Sequence, residues 1–334
     1  MKSTKRRPTR LKTLGLSLLA IGICVVLISA FVGIMARKNE RAAEANFPPI
    51  GQFVNVDGRQ VHALVTGTGP DLILIHGASG NIRDWTFDFV DQLKDRYRVI
   101  VMDRPGLGYT DRAGPALSGA WSTDAETPQE QAQMLKAAAD QLSVKNPIVL
   151  GYSFGGAVAM AWALEFPDHP SGMVILSGAT EPWPGPLDLF YRVNGSLIGG
   201  LITTPLIAAF ASEARINASI NSIFEPAEPP EGYSDYIGGA LVTRRASMRA
   251  NARQVLGLRP HLVEMSKQYP TMTLPTEILH GDADTIVPAS IHARVLDTQL
   301  PNSRLTILNG VGHMPHHTNP ADVISAIDHL RKTP

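Results

Sequence analysis

At 334 residues, with 44% hydrophobic and 18% charged side chains, the chain has material for a sizeable core and is not compositionally disordered. Its formal net charge of zero hides an asymmetry. Residues 1–45 hold nine Lys and Arg against Glu40 and Glu44, which leaves 21 basic and 28 acidic residues downstream, a composition that argues against a nucleic-acid-binding function.

Leu14 to Ala36 is a run of 23 residues without a charged side chain. As a helix it spans roughly 35 Å, enough to cross a bilayer core with some tilt. Six basic residues precede it, so a short basic tail (1–13) is expected in the cytoplasm and the bulk of the chain on the exported side. The expectation is a single-pass, uncleaved signal-anchor at 14–36 followed by a linker at 37–50. The alternative is a secreted protein: Ala43-Glu44-Ala45 mimics a signal-peptidase site, although it lies far beyond the apolar run. Cys24 is the only cysteine, lies within the apolar run and follows bulky Ile23, so neither a lipoprotein anchor nor an intrachain disulfide is expected.

After Pro48-Pro49 the pattern turns to strands. Residues 52–56 and 60–66 read as a hairpin around Asp57-Gly58. Short apolar runs follow at Leu72–Ile75, Val99–Met102, Ile148–Leu150, Met173–Leu176, Thr276–Leu279 and Leu305–Leu308, as strands of a parallel sheet buried on both faces require. Helix-like stretches separate them near 85–95, 128–142, 155–166, 289–299 and 320–331, which makes the class α/β. One interval, 180–273, is too long for a loop and is expected to form a helical cap inserted between core segments 51–179 and 274–334. Within it Gly195–Ala211 is uncharged, and its glycines and Pro205 argue against a second membrane span.

Chemistry-bearing residues cluster at strand ends. Gly151-Tyr152-Ser153-Phe154-Gly155-Gly156 joins an apolar strand to a helix-forming run, the setting of a nucleophile elbow. His76-Gly77-Ala78-Ser79-Gly80 follows an earlier strand, and the backbone N–H groups of Ala78 and Phe154 are candidates for an oxyanion hole. His76 itself is expected to be structural. Asn309-Gly310-Val311-Gly312-His313 follows the last strand and offers His313 as a base. His280-Gly281-Asp282-Ala283-Asp284 offers two carboxylates to orient it. His313, His316 and His317 also form a metal-like set, but no carboxylate or cysteine is spaced beside them, so no metal and no cofactor is expected.

Together with Asp103-Arg104-Pro105-Gly106-Leu107-Gly108-Tyr109-Thr110, these blocks resemble the α/β-hydrolase fold family over roughly residues 50–332, and more closely its capped, esterase-like and C–C-hydrolase-like branch. The resemblance implies a mostly parallel eight-stranded sheet flanked by helices, and a triad of Ser153, Asp284 and His313. In that family the acid usually stands just before an x-Ile/Val-Val-Pro segment, which favours Asp284 over Asp282. The Asp103–Thr110 block is there usually structural. Serine at the elbow departs from the aspartate of haloalkane dehalogenases and epoxide hydrolases. The implied reaction is hydrolysis of an ester or lactone of a small-to-medium apolar substrate through an acyl-enzyme. C–C hydrolysis, aminopeptidase-like amide hydrolysis and cofactor-free perhydrolysis use similar triads, and a non-catalytic binding protein on the same fold is the reading from another class.

Overall fold

The computed structural model describes residues 8–332. Four residues of the basic tail, Lys2, Lys5, Arg6 and Arg7, lie outside the described residues.

The chain begins with α1 (Pro8–Asn46), a single 39-residue helix. It is long and apolar enough to cross a membrane. Its large apolar side chains from Leu14 to Ile34, Val32 apart, stand exposed, and its C-terminal half meets the rest of the protein. There Val32 and Ala36 pack on Ala208 and Ala209, Asn39 Nδ2 donates to the Ala208 and Ala209 carbonyls at 3.0 Å each, and Glu40 pairs with Arg245 at 2.8 Å.

Eight strands then form one sheet: β1 (Gln52–Val56), β2 (Arg59–Thr66), β3 (Asp71–Ile75), β4 (Arg98–Met102), β5 (Ile148–Tyr152), β6 (Gly172–Leu176), β7 (Thr276–Gly281) and β8 (Ser303–Leu308). Their spatial order is β1-β2-β4-β3-β5-β6-β7-β8. The β1–β2 and β2–β4 pairs are antiparallel and all others parallel. Side chains alternate across the sheet. Ile73, Ile75, Ile100, Met102, Val149 and Ile175 feed one core, and Leu72, Leu74, Val99, Val101, Leu150 and Val174 the other. Continuous apolar runs therefore follow from burial on both faces.

The helix expected near 85–95 is reduced to α2 (Arg83–Thr86), with irregular turns after it. Val90 donates to the Trp85 carbonyl five residues back and Leu93 to Val90 three back, so no regular ladder forms while Trp85, Phe89, Val90 and Leu93 still bury. The stretch expected at 128–142 forms α3 (Pro128–Gln141), started by a capping box in which the Thr127 hydroxyl accepts from the Glu130 amide and the Glu130 carboxylate from the Thr127 amide. Next comes α4 (Phe154–Glu165), apolar on all sides and buried from Phe154 to Ala163.

Between β6 and β7 the chain forms α5 (Leu189–Gly195), a π-turn at Gly199–Thr203, α6 (Thr204–Phe210), α7 (Glu213–Phe224), the short α8 (Tyr233–Tyr236) and α9 (Gly239–Val242), and the long α10 (Arg245–Met265). The stretch read near 289–299 is helical only over α11 (Ala293–Gln299). The chain closes with α12 (Pro315–Thr318) and α13 (Pro320–Lys332), whose Val323, Ile327 and Leu330 cover one face of the sheet.

Candidate active site

The carboxyl ends of the central strands bring the chemistry together. β5 turns into α4 at Ser153, which adopts φ 53° and ψ −120°, a conformation that L-residues rarely hold. Glycine is required on both sides. A Cβ at Gly151 would stand 2.3 Å from the Gly155 carbonyl oxygen, and one at Gly155 2.4 Å from that of Ile75. The tight turn thus packs the elbow against the end of β3.

His313 Nε2 lies 2.9 Å from Ser153 Oγ, and His313 Nδ1 lies 2.7 Å from Asp284 Oδ2. All three side chains are buried. Asp284 Oδ1 accepts the amides of Ile286 and Val287 at 2.9 Å each, and its Oδ2 also meets His280 Nε2 at 3.2 Å. Burial pushes the Asp284 carboxyl up, but the hydrogen bonds from His280, His313 and the Val287 amide outweigh it and hold the group well below the usual carboxylate range. Asp282 is exposed and turned elsewhere, accepting from the Gly310 amide at 2.7 Å.

Ala78 stands in the loop after β3, and Phe154 is the first residue of α4. No described group accepts a hydrogen bond from either amide. His76 spends both ring nitrogens on backbone: Nδ1 donates to Gly77 O at 2.9 Å, and Nε2 accepts from the Arg104 amide at 2.9 Å. Burial, with Arg104 beside it, lowers its pKa to about 4 and keeps the ring neutral. Asp103 accepts from the amides of Ile82 and Tyr109 and pairs with His62 Nδ1 at 2.7 Å, which fixes the loop after β4.

Three residues here escaped sequence reasoning. His280 reaches the carboxylate of Asp284 from the end of β7 and also donates to Val287 O at 2.6 Å. Arg104, fully buried, lies 4.1 Å above the Phe154 ring and donates to Gly77 O at 3.3 Å and Gln131 Oε1 at 3.0 Å, tying both amide-bearing segments to one cation. Asn251 of α10 accepts from the Ser79 amide at 2.8 Å and donates to its hydroxyl at 2.9 Å. Arg104 and His280 stood in recognised blocks, and there without a role, whereas Asn251 stood in none.

His316 and His317 require a correction. Both are buried, and the fold supplies the carboxylate that the local sequence lacks. Asp84 Oδ1 meets His316 Nε2 at 3.2 Å, His317 Nε2 at 3.0 Å and the Tyr233 hydroxyl at 2.8 Å. Asp84, His316 and His317 are spaced closely enough to hold a metal ion; here the Nε2 atoms of both rings bond to the Asp84 carboxylate, while the buried Nδ1 atoms of both have no hydrogen-bond partner among the described residues. Burial opposes a charge on His317, but Asp84 and Asp88 prevail and push its pKa up to about 9, while burial lowers that of His316 to about 4. Tyr152 links this cluster to the site above, its ring centroid 4.6 Å from that of His316 and 5.2 Å from that of His313.

Residues 70–320 match the model of the alpha/beta hydrolase fold. The chain belongs to that family. Among relatives of this α/β-hydrolase is a pimeloyl-[acyl-carrier protein] methyl ester esterase of Nitrosomonas europaea, 26% identical over 81% of this chain and 99% of its own. Another is haloalkane dehalogenase 2 of Mycobacterium bovis, 26% identical over 80% and 90%. Of solved structures, a membrane phospholipase A described as a bacterial virulence factor superposes with a TM-score of 0.64 at 21% identity, covering 97% of this chain and all of that one. At that identity the likeness speaks for the fold alone.

Proposed function

We propose that this α/β-hydrolase is a membrane-anchored serine esterase, with Ser153 as nucleophile, His313 as general base and acid, and Asp284 as the carboxylate that orients the imidazole. The observation that carries the reading is the continuous chain Ser153 Oγ to His313 Nε2 at 2.9 Å and His313 Nδ1 to Asp284 Oδ2 at 2.7 Å. Ser153 Oγ attacks the ester carbonyl carbon while its proton passes to His313 Nε2. The amides of Ala78 and Phe154 donate to the resulting oxyanion. As it collapses, the C–O bond to the leaving alcohol breaks and His313 returns the proton to that oxygen. Water then attacks the acyl-enzyme by the same route, restoring the Ser153 hydroxyl and releasing the acid. The domain boundaries of the sequence reading are carried here as part of the proposal, with 180–273 as the cap, except that the segment read as a linker from 37 continues α1 as far as Asn46.

The substrate we propose is an ester or lactone with an apolar acyl or alcohol part, delivered near a bilayer that α1 crosses with its N-terminus in the cytoplasm. The exposed apolar surface of α1 and the methyl ester esterase relative support this choice. Serine at the elbow weighs against the chemistry named for the dehalogenase relative. The test is fluorophosphonate labelling of the full chain in detergent, wild type beside Ser153→Ala, then turnover of p-nitrophenyl esters of increasing chain length. Labelling of wild type alone is expected, and equal labelling or turnover by Ser153→Ala would sink the assignment.

A further inference from the structure

Of the twelve large hydrophobic side chains that stand exposed after α1, eight lie between Leu189 and Phe210. They belong to α5, the π-turn, α6 and the short link at Leu197 and Ile198, where two helical pieces bend by 87°. Soluble helices put such residues inward and polar ones outward. Here the order is inverted. Leu197, Ile198, Leu201 and Ile202 face out, while Asn194 is buried and satisfied within, donating to Phe190 O at 2.9 Å and accepting from the hydroxyls of Thr203 at 2.8 Å and Thr204 at 3.4 Å. Arg249, buried in α10, takes up the backbone carbonyls of Asn194 and Ser196 at the break. From Val193 to Ser212 there is no charged residue.

An outward apolar face whose carbonyls at the helix break are taken up from inside is what hydrocarbon demands of a polypeptide. The face is continuous with the N-terminal helix: Ala208 and Ala209 pack on Val32 and Ala36, near the exported end of the apolar run of α1, and the rings of Phe31 and Phe210 lie 6.4 Å apart. Gly199–Phe210, the longer arm, covers roughly 18 Å as helix, too short to cross a core of about 30 Å. On the rim, Trp121 is 74% exposed on a loop held by the same Arg249 through the Ala120 and Ser122 carbonyls, the placement an interfacial tryptophan takes.

We infer that α5, the π-turn and α6 form a re-entrant element seated in the exported leaflet of the bilayer beside α1, so that the cap region rests on lipid and not in water. The inference rests on reading α1 as a membrane span, and the occupant of the apolar face is the acyl region of that same membrane. The test uses the full chain in proteoliposomes with Cys24→Ser as background and one nitroxide-labelled cysteine at a time: Ile198→Cys and Ile202→Cys on the face, Ile21→Cys within α1, and Asp91→Cys, whose position is exposed in the irregular turns after α2. The readout is accessibility to oxygen against accessibility to a water-soluble nickel chelate. The expected result is preferential oxygen access at positions 198, 202 and 21 and chelate access at position 91. Chelate access at 198 and 202 with oxygen access at 21 overturns the re-entrant element and leaves the anchor intact. Chelate access at all four positions overturns both.

Discussion

Replacing Asp284 by asparagine preserves the shape of the side chain and removes one acceptor. The carboxylate serves two pairs of donors, the Ile286 and Val287 amides on Oδ1 and the His313 and His280 rings on Oδ2. An amide has one oxygen, so one pair must face its NH2. Turning the NH2 toward the two buried backbone amides orphans both, at about 1–3 kcal/mol each. The cheaper solution points it at His313, which must then leave Nδ1 unprotonated and carry its proton on Nε2. That tautomer cannot accept the proton of Ser153, and kcat should fall by about 10⁴-fold, the loss seen for the same exchange in other Ser-His-Asp sites, or about 5 kcal/mol of barrier. Asp282→Asn should stay within about tenfold of wild type, because its contact is a single acceptance from the Gly310 amide, which an asparagine carbonyl can also make. The assay is steady-state ester hydrolysis by the two variants and wild type in the same detergent. An Asp284→Asn enzyme within tenfold of wild type, or an Asp282→Asn loss as deep as that of Asp284→Asn, refutes the assignment.

The folded pKa of His317 is raised to about 9 from 6.5, so its stabilisation is complete below 6.5 and disappears as pH climbs through about 9. Melting temperatures measured across that window should fall more steeply for wild type than for His317→Gln, which starts lower; parallel curves would show that the ion pair carries no proton linkage. Gly155→Ala drives a Cβ to 2.4 Å from the Ile75 carbonyl oxygen and should cost about 1–3 kcal/mol or more together with fluorophosphonate labelling, and an unchanged melting temperature would contradict that close approach. Ser153→Gly releases a positive φ that Ser153→Ala retains, so denaturant titration should find the glycine variant more stable than the alanine variant by about 1 kcal/mol. Equal stability would mean that the elbow stores no strain.

The sheet and the three central residues were legible because each sits in a segment whose local pattern is self-sufficient. The elbow needs glycines at fixed offsets from Ser153, and His313 and Asp284 each follow an apolar strand. Their supports are not local. Asp84 meets His317 across 233 positions of sequence, and Asn251 meets Ser79 across 172. No spacing rule connects such pairs, which is why His316 and His317 looked unaccompanied and Arg104 looked idle. The stretch near 85–95 misled for a related reason. Trp85, Phe89 and Leu93 recur at a helical interval, but what the fold requires of them is burial, and irregular turns deliver it as well.

Hydropathy, for its part, tells how apolar a segment is and not what it faces. The uncharged stretch around Gly195–Ala211 fits buried cap helices and a lipid-facing surface equally well on sequence alone. The direction of its polar groups separates the two. Had the segment been packed inward, Asn194 and Thr204 would stand on the outside, hydrogen-bonded to water; instead both are buried, with the Thr204 hydroxyl donating to Asn194 Oδ1 at 3.4 Å, while Leu197 and Ile202 stand out. A polar interior under an apolar exterior is unstable against water and stable against hydrocarbon, so the same observation that makes the segment anomalous for a soluble enzyme makes it regular for one that works at a bilayer.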